Sequence, residues 1–314
     1  MIRLEDLSKS FGGHAAVDGL TLDIPQGKIT VFAGADGAGK STFFKMILGL
    51  VHPDRGRILL NGEDIKGRYE RITSITGYMP ERFSLYPDLS VEENLNFYAD
   101  IHEVPRKRRE EMKARLLEKT GMKPFVKRRA RALSGGMKQK LALSSILLSA
   151  PELIILDEPT TGVDPLSRIE FFRIIDDLKN EGKTILLSTP YLDEAEKGDL
   201  VVFMKEGRIF HTEELDSLRS SFPARIFRLT PHDSVFDLME RLKKDDRFHG
   251  DLYLQGRSVV CLRDEGEEVP DIPDVDIQKQ VPRLEDIFLY YKRRSEDSEP
   301  VQAKPTANRM EKRA

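Results

Sequence analysis

Nine residues constrain this chain more than any others: Gly34-Ala35-Asp36-Gly37-Ala38-Gly39-Lys40-Ser41-Thr42. They follow an apolar run, Lys28–Ala33, that reads as a strand. They open Ser41–Leu50, whose Phe43, Phe44, Met46, Ile47 and Leu50 fit a helix packed on a sheet. Glycines between a strand and a helix let the backbone curl until successive N–H groups converge. The helix N-terminus reinforces them, and the product is a cradle for an anion.

With Lys40 and Ser41 in register, the segment matches the phosphate-binding P-loop pattern. Lys40 is expected to bring a point charge to β- and γ-phosphates, and Ser41 to bring a hydroxyl to Mg²⁺. A second element points the same way. Leu153-Ile154-Ile155-Leu156-Asp157-Glu158 is an apolar strand that ends in two carboxylates, and the carboxyl ends of parallel strands are where ligands bind. Asp157 is expected to hold Mg²⁺ through water, and Glu158 to polarise the attacking water as general base.

The 314 residues suffice for one large domain and a small one. A net charge of -3 argues neither for nucleic acid nor for a charged membrane surface, and no nucleic-acid partner is expected. Cys261 stands alone, which excludes an intrachain disulfide and suits a reducing compartment. The opening MIRLEDLSKSF lacks the basic-then-apolar order of a signal peptide. The most apolar stretch, Leu141–Leu156, is broken by Ser144, Ser145, Pro151 and Glu152, short of the roughly 20 apolar residues a spanning helix needs. A role at a membrane would therefore run through a partner.

Short apolar runs broken by turns make residues 1–33 β-structure. From Leu85 to Ala150 the pattern turns helical, with segments at Val91–Ile101, Lys107–Lys119 and Met137–Ser149. A strand (Leu153–Leu156), a helix (Leu166–Asn180) and two strands (Thr184–Ser188, Leu200–Lys205) follow, an alternation that implies a parallel sheet. Residues 222–291 read as a small α+β extension: strand Ala224–Leu229, helix Val235–Lys244, strands Asp251–Leu254 and Ser258–Leu262, an acidic loop, and helix Leu284–Tyr291. From Arg293 to Ala314 the composition predicts a disordered tail.

Leu133-Ser134-Gly135-Gly136-Met137-Lys138-Gln139-Lys140 narrows the family, because it resembles the signature sequence of ABC ATPases and lies between the P-loop and the acidic strand. The resemblance covers residues 1–220. It includes Gly162-Val163-Asp164-Pro165 (D-loop), Gly77-Tyr78-Met79-Pro80-Glu81 (Q-loop region) and Ser188-Thr189-Pro190-Tyr191-Leu192-Asp193-Glu194-Ala195 (H-loop region). It implies an α/β fold, a P-loop NTPase of the ABC ATPase type. Such a fold has a RecA-like α/β core, an N-terminal antiparallel β-subdomain and a helical subdomain, here about residues 85–150, with the small α+β extension after it.

The resemblance further implies ATP and Mg²⁺ as cofactors, and a second ATP-binding cassette as partner in a homodimer or paralogous heterodimer. Ser134, Gly135 and Gly136 would contact the second cassette's nucleotide, with Asp164 nearby. A hydroxyl and bare amides at a helix N-terminus make physical sense as a second anion site. Phe11 stands where the family stacks a ring on adenine. An integral-membrane ABC permease would complete the assembly, leaving this chain peripheral on the cytoplasmic face. Tyr86–Leu95 looks most like subunits of ABC-2-type exporters.

Two positions depart from the family pattern. Glu81 stands for the Q-loop glutamine and Pro190 for the H-loop histidine. Glu81 can still offer oxygen to Mg²⁺. Proline offers neither a side-chain donor nor an N–H. Either hydrolysis persists through Glu158, or the site binds ATP and hydrolyses it slowly beside a partner with an intact histidine. The other readings are a regulatory ATP-binding module and a soluble ABC protein with little hydrolysis of its own.

Overall fold

At the start of the chain, alternating apolar residues bring two long strands into an antiparallel pair. β1 (Ile2–Phe11) faces β2 (His14–Ile24), with Ile2 opposite Ile24 and Leu4 opposite Leu22. The structure is a computed structural model that describes residues 2–220, 222–245, 247–248, 251–264 and 266–297. β4 (Arg55–Leu60) joins the other edge of β1, and β5 (Glu63–Asp64) pairs with β4.

A second sheet holds β3 (Ile29–Ala33), β6 (Thr76–Met79), β7 (Leu153–Asp157), β8 (Thr184–Thr189), β9 (Leu200–Lys205) and β10 (Arg208–Glu214), in the order β10-β9-β3-β8-β7-β6. From β9 to β6 the strands run parallel. β3, β7 and β8 are buried along their whole length, as unbroken apolar strands in a doubly covered sheet must be. β3 lies between β8 and β9, so its carboxyl end opens into the crevice where such sheets bind ligands.

The sequence reading had assigned no strand between residues 51 and 79, yet β4, β5 and β6 lie there. β4 opens on exposed polar residues, β5 is two acidic residues with neither buried, and β6 is only four residues long, too little apolar sequence in each to announce a strand.

Helix α1 (Lys40–Ile47) leaves the end of β3 and packs between the sheets. The rings of Phe32, Phe43 and Phe44 meet at centroid distances of 4.8–5.6 Å in a core shared with Leu4, Leu20 and Leu186. Burying each ring contributes roughly 1.5–3 kcal/mol, which anchors the loop before it. The expected continuation to Leu50 is corrected here. The helix stops at Ile47, Gly49 turns the chain at φ +69°, and Leu50 is 66% exposed.

A short helix, α2 (Glu70–Thr73), precedes β6. Between β6 and β7 come α3 (Val91–Ile101), α4 (Arg106–Lys119) and α5 (Gly135–Leu147). Ser90 and Glu93 close the first of these in a reciprocal capping box. α6 (Pro165–Asn180) and α7 (Leu192–Ala195) flank β8.

By compactness the chain separates after Thr212, and the unit from Glu213 has a sheet of its own. α8 (Leu215–Ser220) leads to β11 (Ala224–Pro231), α9 (Val235–Lys244), β12 (Asp251–Gln255), β13 (Ser258–Asp264), β14 (Val275–Gln280) and α10 (Leu284–Asp297). The antiparallel order is β12-β13-β11-β14. Leu238 and Leu242 of α9 cluster with Phe227, Leu229 and Val259, while Tyr290 of α10 clusters with Ile226, Val260 and Leu262.

Two expectations are corrected in this unit. β14 is a strand the sequence reading lacked, and α10 runs six residues past Tyr291. Arg293 to Asp297 are thus helical, and the rest of the expected tail, 298–314, lies outside the described residues. Among the described residues no helix is long and apolar enough to cross a membrane.

Candidate functional site

Gly39 is the N-cap of α1, at φ +98°, and no side chain caps the helix. Its leading N–H groups are therefore left without intrahelical partners. Only glycine fits here: a Cβ would lie 2.3 Å from Ala16 O, at a φ that side chains rarely adopt. Gly34, Ala35, Asp36, Gly37 and Ala38 form the loop before it, tied back by Gly34 N donating to Thr189 O at 3.2 Å.

Lys40 is 3% exposed. Its Nζ donates to Gly34 O at 2.7 Å and Ala35 O at 3.0 Å, and lies 3.3 Å from Glu158 Oε1. Ser41 Oγ donates to Asp157 Oδ1 at 3.0 Å. Residues 116 positions apart thus meet at the carboxyl ends of β3 and β7. Thr42 follows Ser41 in the first turn of α1.

Two participants escaped the sequence reading as individual groups. Ser188 Oγ donates to Asp157 Oδ1 at 2.6 Å and accepts from Glu158 N at 3.0 Å, so one hydroxyl orients both acids. A serine closing an apolar strand beside the acidic one was the available signal. Tyr78, on β6, has a buried hydroxyl that meets no partner at full hydrogen-bond geometry among the described residues. Burial, and then the charge of Asp157, pushes its phenol well above the usual value. It stays a neutral O–H beside Asp157.

The signature turn is built separately. Ser134 caps α5 by accepting from Met137 N at 3.3 Å, and Ser134 and Gly135 are exposed. Gly136 packs so closely on α6 that a Cβ there would lie 2.4 Å from Ser167 Cβ. Asp164 caps α6, accepting from Ser167 N at 3.0 Å. Bonds from Ser167 hold its carboxyl below the usual range. Among the described residues, no hydrogen bond or ion pair links Ser134, Gly135 or Gly136 to the P-loop.

The remaining sequence-derived residues lie outside the Lys40–Asp157 cluster. Phe11 is 51% exposed, with Lys9 Nζ 5.4 Å from its ring centroid, so it is not a core aromatic. Glu81 is exposed and lines a cleft of about 380 Å³ with Phe83, Leu85, Arg131 and Lys138. No contact joins it to Ser41 or Asp157 among the described residues.

Beside Pro190, the Thr189 hydroxyl is fully buried and donates to Glu194 Oε2 at 2.6 Å. Tyr191 lies under the Arg168 guanidinium at 4.6 Å.

A hydroxyl and a carboxylate in contact, Ser41 and Asp157, form a hard-oxygen pair. That suits Mg²⁺, which typically takes one or two protein oxygens and fills its octahedron with water and phosphate. Uncapped amides, a buried lysine and an acid beside them can hold a triphosphate and activate water next to it.

Comparison with known proteins agrees. The family model described as ABC transporter matches residues 17–161. The chain is 40% identical over 299 residues to the probable multidrug ABC transporter ATP-binding protein YbhF of Escherichia coli (strain K12), covering 92% of this chain but 51% of that protein. It therefore spans about half the length of that relative. It is 31% identical over 297 residues to the Nod factor export ATP-binding protein I of Rhizobium etli, covering 92% of each. Among solved structures, cbiO1 from Clostridium perfringens, part of the ABC transporter complex cbiONQ, matches with a TM-score of 0.65 at 27% identity over 70% of this chain and 91% of that one. With the Rhizobium etli relative matched along 92% of its length, and with a P-loop, signature turn and acidic strand in order on this fold, the chain belongs to the family of ABC transporter ATP-binding proteins.

Proposed function

We propose that this chain binds ATP and Mg²⁺ between its own P-loop and the signature turn of a second cassette, and hydrolyses the ATP to drive export by a separate integral-membrane partner. The observation that carries the reading is the convergence of an uncapped helix N-terminus, Lys40, the Ser41–Asp157 pair and Glu158. The exporter assignment draws on the Nod factor export relative and on the Tyr86–Leu95 segment.

The residues divide the work. The amides from Asp36 to Thr42 and the Lys40 ammonium grip the phosphates. Ser41 and Asp157 hold Mg²⁺, which when bound neutralises charge on the β- and γ-phosphates. Glu158, freed from Lys40, accepts the proton of the attacking water. Ser188 keeps both acids aimed. Ser134 and Gly135 offer a hydroxyl and an amide to the partner's nucleotide, with Gly136 packed on α6 beside them and Asp164 nearby, while Phe11 offers its exposed ring to adenine. Glu81 offers a further oxygen for Mg²⁺.

Pro190 makes hydrolysis slow. With the Thr189 hydroxyl committed to Glu194 and no donor on Pro190, the turn lacks the hydrogen bond a histidine would aim at the γ-phosphate, a loss of about 3–4 kcal/mol of transition-state stabilisation. A paralogous cassette with an intact histidine would supply the faster site. The helical segment at 85–150 is the face for the membrane partner, which leaves the chain peripheral on the cytoplasmic side. The unit from Glu213 stabilises or regulates the pair.

Calorimetric titration with Mg·ATP tests the reading. Saturable binding that Lys40→Ala abolishes is the expected result, and no saturable binding by the wild-type chain would refute it.

A further inference from the structure

Glu194 is a carboxylate with 3% exposure, four residues beyond Pro190 and absent from the site described so far. A buried charge is costly unless it is paired and hydrogen-bonded, and both of its oxygens are engaged. Oε1 accepts from Thr160 Oγ1 and lies 3.5 Å from Arg168 Nη1; Oε2 accepts from Thr189 Oγ1 at 2.6 Å.

The three partners come from three segments. Thr160 lies two residues past Glu158, and Val163 N donates back to its carbonyl at 3.0 Å. Thr189 ends β8, where its carbonyl accepts from Gly34 N and its hydroxyl accepts from Tyr191 N at 3.1 Å. Arg168 sits in the first turn of α6, where its Nε donates to Val163 O at 3.1 Å and its guanidinium covers the Tyr191 ring. Next to Arg168 is Ser167, the residue against which Gly136 packs.

One buried side chain thus clasps the loop after Glu158, the strand end before Pro190 and α6, the helix against which Gly136 of the signature turn packs. Among the described residues it has no bond to Lys40, Ser41 or Asp157.

We propose that Glu194, with Arg168, is a positioning residue for hydrolysis. It holds Glu158 and the 160–164 loop in fixed relation to the 188–191 turn, so that the general base stays aligned with the phosphate end of the site. The proposal rests on the ATPase reading. In this chain the clasp has added weight, because Pro190 has neither an N–H nor a side-chain donor to give to the turn.

The test compares wild type, Glu194→Gln and Arg168→Met in the full chain by two readouts. Glutamine keeps the size of Glu194 but carries no charge for Arg168 and no second acceptor for the threonine hydroxyls. Single-turnover hydrolysis of ATP is expected to slow about tenfold or more in Glu194→Gln with KM within about twofold, the mark of an interaction used in the transition state. Arg168→Met should give a smaller loss, and the double variant no more than Glu194→Gln alone, since the two share one network.

Hydrogen exchange without nucleotide reads the clasp itself, and the Glu158 and Tyr191 amides should exchange faster in Glu194→Gln. An unchanged turnover rate in Glu194→Gln overturns the proposal whatever the exchange does. Should that variant fail to fold, a wild-type rate in Arg168→Met overturns it equally. A wild-type chain that binds no nucleotide in its own titration overturns the ATPase reading and takes this proposal with it.

Discussion

The Lys40 ammonium stands 3.3 Å from Glu158 Oε1, with side-chain exposures of 3% and 14%. The cation that should meet phosphate and the carboxylate that should activate water are paired with each other, so phosphate binding must exchange one contact for another. Glu158→Gln removes both the base and the competitor for Lys40. Single-turnover hydrolysis is expected to fall about 10²–10⁴-fold, while the calorimetric Kd for Mg·ATP stays level or tightens. A weaker Kd would mean that Glu158 helps to hold nucleotide.

Pro190→His should raise the turnover rate. The turn does not depend on proline for its shape, because the Thr189 hydroxyl already accepts from Tyr191 N and donates to Glu194. An imidazole added there regains a donor aimed at developing charge, an effect of about a hundredfold in kcat. The measurement is steady-state phosphate release at saturating ATP. A rate equal to wild type would show that the slow step lies elsewhere.

Much of this site is legible in the sequence, because its parts are local. Strand, glycine turn, lysine and helix are contiguous from Lys28 to Ile47, and the paired acids end one apolar run. Helices with strong caps are legible too: α3 begins behind Ser90 and Glu93, and α9 behind Ser234. Groups that act across long separations are not. Ser188 reaches Asp157 over 31 positions and Glu194 reaches Thr160 over 34, and no periodicity marks either pair. β14 was hidden for another reason. Its sequence, VDIQKQ, is two-thirds polar and lies half-exposed at an edge, so it lacks the apolar run that announces β13.

Ser188→Ala should cost both activity and stability. It leaves Asp157 with one hydroxyl donor, Ser41, and takes away the side-chain acceptor of Glu158 N, although that amide keeps Ser188 O at 3.2 Å. Removing a fully buried partner of a carboxylate costs about 1–3 kcal/mol. In a unit of this size that lowers Tm by roughly 2–12 °C. Scanning calorimetry checks the shift, and single-turnover hydrolysis should slow about tenfold or more as the acids lose alignment. A normal rate with a lowered Tm would confine Ser188 to a structural role.

Cys261 offers a test of the second unit alone. It is fully buried on β13, and burial pushes its thiol up to about 11, with Arg263 opposing only part of that shift. Unfolding restores an ordinary thiol, from which the proton leaves at lower pH. Between about pH 9 and 11 the unfolded chain therefore holds fewer protons than the folded one, and stability must fall as pH rises. Its contribution is fully present below the unfolded value and is lost as pH climbs through the folded one. Two pH units correspond to about 2.7 kcal/mol at the upper end. Urea midpoints at pH 8 and pH 10.5, compared between wild type and Cys261→Ala, isolate this group from the tyrosines and lysines that titrate alongside it. The wild type should lose about 2 kcal/mol more than the variant over that interval, and its native thiol should resist iodoacetamide at pH 8. Equal pH dependence in the two proteins, or rapid alkylation of the native chain, would mean that water reaches the face of the sheet covered by α9.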